Sequence, residues 1–165
     1  MKLKCAVFFV LFALITGLSS QAKADMYVGG LVGYGTVSGD VLSYTGGLAV
    51  GATAGIQLVP NLGVAATYLH NSLSVGSTDV GVSELLAEAN FFTIIFFPTG
   101  VHIGEVTTSV GGSSTTDFGF GLHTGFDINL VANVTVGAAA YWTYVTTSND
   151  KHSLFDLVVP IKFHF

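Results

Sequence analysis

The sequence predicts an all-β chain: an eight-stranded antiparallel up-and-down transmembrane β-barrel, preceded by a cleaved signal peptide. Three observations predict it. The chain opens with two lysines and an apolar run that ends at a cleavage motif. Apolar side chains then alternate with small or polar ones, segment after segment, until Phe165. Charged residues make up only 9% of the 165 residues, far below the roughly 25% of soluble domains.

The first element is the signal, residues 1–24. Lys2 and Lys4 form its positive start, and Cys5 to Leu18 is apolar apart from Thr16 and Gly17. That run is too short for a membrane helix, which needs about 20 residues. Ala22-Lys23-Ala24 fits an A-x-A cleavage site, so the mature chain, 25–165, begins at Asp25 as one barrel domain. Cys5 stands at the start of the apolar run, not at the cleavage point, and is not a lipid-attachment site. Beyond the signal, Lys151 and Lys162 face ten acids, a net charge of −8, with no arginine and no cysteine. Such a surface disfavours nucleic acid, which needs cations to neutralise phosphate, and leaves neither disulfides nor thiolate chemistry.

Strands are expected near 26–35, 46–58, 62–71, 82–97, 100–107, 117–130, 134–146 and 153–165. The 117–130 segment shows the pattern best. Phe118, Phe120, Leu122, Thr124, Phe126, Ile128 and Leu130 share one face, while Gly119, Gly121, His123, Gly125, Asp127 and Asn129 share the other. Ser83 to Ala89 resembles a helical turn but runs into Asn90-Phe91-Phe92-Thr93-Ile94-Ile95-Phe96-Phe97, so it is assigned to a strand. Connections alternate in length. Val59-Pro60-Asn61, Pro98-Thr99 and Val131-Ala132-Asn133 are tight; 36–45, 72–81, 108–116 and 147–152 read as longer polar loops. That asymmetry fits short periplasmic turns and longer external loops, with both termini periplasmic.

The outward faces of the second, third, seventh and eighth strands carry no charge. They comprise Leu48, Val50, Ala52, Ala54, Ile56 and Leu58; Leu62, Val64, Ala66 and Tyr68; Val134, Val136, Ala138, Ala140, Trp142 and Tyr144; and Phe155, Leu157, Val159, Ile161, Phe163 and Phe165. A lipid-facing Lys or Arg at mid-bilayer costs about 2–4 kcal/mol, and the same reasoning turns Glu84, Glu88 and Asn90 inward. In the first strand, Tyr27/Leu31 and Val28/Val32 compete for the outside. Girdle aromatics are expected at one rim from Tyr34, Tyr68, Phe118, Trp142 and Tyr144, and at the other from Phe97, Phe163 and Phe165.

Several segments together resemble the small outer-membrane β-barrel family that includes OmpA-like, OmpX-like and OmpW-like proteins. They are Met26-Tyr27-Val28-Gly29-Gly30-Leu31-Val32-Gly33-Tyr34, the hairpin around Pro60-Asn61-Leu62, Phe96-Phe97-Pro98-Thr99-Gly100 and Asp117-Phe118-Gly119-Phe120-Gly121. The ending Ile161-Lys162-Phe163-His164-Phe165 looks like the family's assembly signal, carried by Ile161, Phe163 and Phe165. The resemblance implies insertion by the barrel-assembly machinery into the outer membrane of a Gram-negative-type cell, among lipid and lipopolysaccharide, as a monomer. Family members include passive anchors, narrow channels, adhesins and protective surface proteins. The chain ends at its last strand, without the peptidoglycan-binding domain of OmpA-like proteins, and lacks the arginines that often fill their lumens.

Eight strands enclose room for side chains alone, so a plugged lumen is the expectation. The inward set is Gly47, Gly51, Thr53, Gly55, Gln57, Gly63, Thr67, Glu84, Glu88, Asn90, His123, Asp127, Asn129, Tyr141, Thr143, Asp156, Lys162 and His164. Glu88, Asp127, Lys162 and His123 are its candidate functional residues, with a Lys162–Asp127 contact that neutralises a buried charge. Phe92, Ile94 and Phe96 would add an apolar path for hydrophobic solutes. No cofactor is implied, and the five histidines lack zinc-ligand spacing. An enzyme is not expected: His123 is followed by a lipid-facing Thr124, and His70 with Ser72 and Ser74 lacks an orienting acid. The expected role is structural or porin-like, with at most slow passage of small solutes. The alternatives are a binding module acting through the Ser/Thr-rich loops, such as 107–116, and a path for hydrophobic solutes.

Overall fold

The computed structural model describes residues 25–39, 43–59, 61–75, 78–91, 99–146 and 151–165. They form eight strands: β1 (Met26–Gly39), β2 (Ser43–Val59), β3 (Leu62–Val75), β4 (Thr78–Phe91), β5 (Thr99–Val110), β6 (Ser113–Val131), β7 (Val134–Thr146) and β8 (Lys151–His164). Each pairs antiparallel with the next, and β8 returns to β1 to close the barrel. The seam continues past the strand ends: the Phe165 amide donates to the Met26 carbonyl at 2.9 Å. Closure pairs backbone groups that an open sheet would leave bare. The expected signal, 1–24, and the expected strand-four extension 92–97, with Phe92, Ile94, Phe96 and Phe97, lie outside the described residues.

The expected long loops are a point of correction. Strands cover most of them: β1 reaches Gly39, β3 reaches Val75, β5 reaches Val110 and β6 starts at Ser113. Between β5 and β6 only Gly111 and Gly112 remain, at φ of 57° and 86°. Those signs at both central residues are the type I′ arrangement, whose twist matches the flanking strands and which glycine adopts without penalty. The Ser/Thr run on either side is strand rather than loop. Threonine's branched Cβ suits a pleated backbone, and Thr107 with Thr116, and Ser109 with Ser114, pair hydroxyls across the hairpin at 2.9 Å each.

Alternation sorts the side chains as expected. Phe118, Phe120, Leu122, Trp142, Leu157 and Ile161 are exposed on the outer wall. Tyr34, Tyr68 and Phe163 join them, and Tyr144 is half-buried, with its ring 5.5 Å from Phe120. The first strand's parity is settled by its partner: Val28 faces Phe163 and Val32 faces Val159 across the seam. Val28 is therefore 47% exposed and Leu31 5%. Ile56, expected outside, is buried beside its register partner Met26; nothing further in the described residues accounts for it. Glu105 shares the outer face near the far end of the barrel, in register with Phe118.

The inner wall is layered along the barrel axis. Nearest the end remote from the termini lies an apolar layer of Val37, Leu73, Val80, Val82, Val106, Val145 and Leu154. One inward position deeper on their strands stand Asn71, Glu84, Thr143 and Asp156, all buried. Leu31, Ala49, Leu69, Leu86, Tyr141 and Val158 form a second apolar layer. Below it, toward the termini, the lumen turns polar again with Thr53, Thr67, Glu88, Asn90 and His123. Strand β4 shows the order in one line: Val80, Val82, Glu84, Leu86, Glu88, Asn90.

Candidate functional site

The terminal half of the lumen holds a cavity of about 90 Å³ whose lining includes Tyr27, Glu88, Asn90, His123, Asp127 and Lys162. Strands β1, β4, β6 and β8 present these groups because alternation puts each on the inner face. All four candidate residues of the lumen meet here. The Lys162 ammonium donates to Asp127 at 2.7 Å, with both side chains largely shielded. The same ammonium lies 5.1 Å above the Tyr27 ring, a favourable place for a cation. His123 Nε2 is 2.7 Å from the Asn90 side-chain oxygen and 3.7 Å from Glu88. At the mouth, His164 is 3.1 Å from both Asp25 and Thr135. Asn129, at the end of β6, is exposed.

One buried lumen residue escapes the sequence reading. His102 on β5 is buried, with its Nδ1 3.3 Å from His123 Nδ1 and its Nε2 3.1 Å from Thr143 Oγ1. The imidazoles of His102 and His123 stack, and Tyr141 packs against both. The signal was present in Val101-His102-Ile103, where two apolar neighbours on the outer face turn the histidine inward. Cross-strand register, invisible in linear spacing, is what brings the two histidines together.

These contacts form a chain. Thr143 donates to Glu84 Oε2 at 2.7 Å. Having spent its only proton, Thr143 must accept from His102 Nε2, and His102 Nδ1 then accepts from His123. The Asn90 amide, whose ends exchange by rotation, completes the line. A continuous set of hydrogen bonds thus runs from the cavity, through the second apolar layer, to Glu84. It passes along side chains from β4 through β6, β5 and β7 back to β4.

The serine partner of His70 also differs from the sequence reading. His70 Nδ1 lies 2.9 Å from Ser83 Oγ, which also accepts from the Tyr68 hydroxyl at 3.3 Å. Ser83 sits opposite His70 on the neighbouring strand, whereas Ser72 and Ser74 lie along His70's own strand. Among the described residues no three of His, Cys, Asp and Glu cluster as a metal site.

No protein-family model matches the chain, and neither does any curated protein. Solved structures do match. Neisserial surface protein A superposes with a TM-score of 0.76 at 22% identity, covering 87% of this chain and all of that one. The fold is that of the small outer-membrane β-barrels. Ail, the attachment invasion locus protein of Yersinia pestis, matches at a TM-score of 0.52 and 15% identity, over 85% of this chain and 97% of Ail. OprG, an outer membrane protein of Pseudomonas aeruginosa, matches at 0.50 and 12%, over 86% and 96%. The expected eight-stranded up-and-down architecture therefore has experimental counterparts along nearly its whole described length.

Proposed function

We propose that this chain is an integral outer-membrane β-barrel protein with a closed lumen, serving as a structural surface protein rather than a general pore. The observation that carries this reading is the pair of apolar layers across the lumen. Leu69, Leu86 and Val158 in one, and Leu73, Val145 and Leu154 in the other, are at most 2% exposed. An ion crossing either layer would give up its hydration without a replacement ligand, a cost of many kcal/mol. Small solutes pass slowly at most. The leader and the fold of its structural counterparts support export to the outer membrane, insertion by the barrel-assembly machinery at the Phe165 end, and termini in the periplasm. The chain acts as a monomer surrounded by lipid and lipopolysaccharide, and no enzymatic role is assigned to it.

Planar-bilayer recordings test the reading, with a heat-modifiability gel confirming the folded barrel. A silent, folded protein is the expected result. Steady discrete openings would overturn the closed lumen and return Lys162, Asp127 and Glu88 to the role of pore residues.

A second reading, surface attachment, rests on the β5–β6 hairpin, where residues 111–116 are all exposed. Ail, which matches this fold, is named for attachment and was also solved with the heparin analogue sucrose octasulfate. A sulfated ligand is the wrong partner here. Beyond the leader the chain carries only Lys151 and Lys162 as permanent cations, and Lys162 is paired inside the barrel. An uncharged or hydroxyl-bonding ligand suits the Ser/Thr surface better. Replacing Thr107, Ser109, Ser114 and Thr116 by alanine should abolish attachment of expressing cells if this reading holds; unchanged attachment would remove it.

A further inference from the structure

Four side-chain oxygens between the two apolar layers lack a hydrogen-bond partner: Asn71 Oδ1, Glu84 Oε1 and both carboxylate oxygens of Asp156. Their residues come from β3, β4 and β8 and are at most 1% exposed. With both carboxyls ionised, none of these oxygens has a donor, although Asp156 stands within hydrogen-bonding reach of the Glu84 carboxyl and the Asn71 amide. Two of the oxygens lie against a glycine. A Cβ added at Gly35 would collide with Asn71 Oδ1 and with Asp156 Oδ1, so both oxygens converge over the same bare stretch of β1 backbone.

Charge makes this layer unusual. It contains two carboxyl groups and no lysine. Lys162 is bonded to Asp127 in the other half of the lumen, and Lys151 is exposed at the far end of β8. Thr143 satisfies Glu84 Oε2 only. Buried carboxylates without a counter-charge are strongly unfavourable, and among the described residues no lysine stands in this layer to serve as one.

We propose that Asn71, Glu84 and Asp156 bind a single divalent cation of the calcium class. The donors are all oxygen, which selects a hard ion over zinc or copper. Two carboxylates balance a charge of +2. The set is irregular, with a carboxylate free to bind through both oxygens, and calcium accepts such geometry. Magnesium demands a near-octahedral shell and keeps several waters, for which a layer sealed on both sides has little room. The seals also dictate kinetics: the ion enters as the barrel closes and leaves only when it opens. The site lies apart from the cavity at the terminal end and does not depend on whether the lumen conducts.

The experiment is a refolding series. The protein is refolded into detergent micelles with calcium chloride, treated with excess chelator, gel-filtered and assayed for calcium by elemental analysis. The wild type should retain about one equivalent. The Glu84→Gln/Asp156→Asn double variant, nearly isosteric, should retain none while still migrating as a heat-modifiable barrel. Gly35→Ala, whose Cβ would push the Asn71 and Asp156 oxygens aside, should also retain none. Calcium-free wild type after this treatment would overturn the proposal, as would equal retention by the double variant. Infrared spectra give a second readout. A protonated-carboxyl stretch in the calcium-refolded wild type that vanishes in the double variant would show that a proton neutralises the pair, and that too would overturn it. Absence of that stretch supports the ion.

Discussion

The two polar layers of the lumen solve the same problem under different conditions. The one near the termini borders a cavity and carries its own counter-charge, with Lys162 2.7 Å from Asp127. The one nearer the far end holds Glu84 and Asp156 between two apolar layers, with no lysine among its neighbours. In the first, polarity is tolerated because water and an ammonium are at hand. In the second, charge must be neutralised within the layer itself. Lumenal polarity in a narrow barrel is therefore no guide to conduction. What matters is whether polar layers connect through water, and here Leu69, Leu86 and Val158 stand between them.

Mutations can break or sharpen this contrast. Leu69→Ala removes a fully buried side chain from the dividing layer and should cost about 2–5 kcal/mol, by analogy with other core truncations, read by urea unfolding in lipid. Conductance should stay silent, because the outer apolar layer remains. Openings in this single variant would mean that the dividing layer alone seals the barrel. Lys162→Met leaves Asp127 without its partner and should cost about 1.5–3 kcal/mol, seen as a lower Tm with no change in conductance. An unchanged Tm would show that the terminal layer shelters a bare carboxylate, and the contrast with the outer layer would collapse.

Two smaller effects belong to the hairpin outside the lumen. Gly112→Ala forces a side chain into a φ of 86° and should cost about 1–2 kcal/mol without touching either polar layer. Thr107→Val keeps the branched shape and removes one exposed hydroxyl pair. It should shift stability by about 0.2–1 kcal/mol, measured in the same urea series. A larger loss from Thr107→Val than from Lys162→Met would reverse the ranking of hairpin and lumen.

The outer wall was legible in the sequence because lipid imposes one rule on every strand. Phe118, Phe120 and Leu122 announce it, and parity then places Glu84 and Glu88 inside. The lumen was legible only in part. Parity with Thr67 turns Leu69 inward, and parity with Glu84 and Glu88 turns Leu86 inward, but parity does not say which inward residues of different strands share one height. The two apolar layers follow from register, which linear spacing does not reveal, and so does the meeting of His102 with His123. Register also decided the first strand, where Val28 and Val32 go outward because Phe163 and Val159 do. The polar composition of 108–116 suggested a loop, yet two adjacent glycines flanked by threonines and serines specify a tight hairpin. There, turn chemistry outweighs polarity.

The seam between β1 and β8 has a consequence for how the molecule comes into being. Its register joins Tyr27 to His164 and Gly39 to His152, so the contacts most distant along the chain are the ones that close the ring. Until they form, any partial sheet keeps two free edges, and in hydrocarbon each unpaired backbone group on them costs several kcal/mol. A half-built sheet is thus no resting place within the bilayer. The ring must close in one cooperative event, timed by the arrival of the final strand.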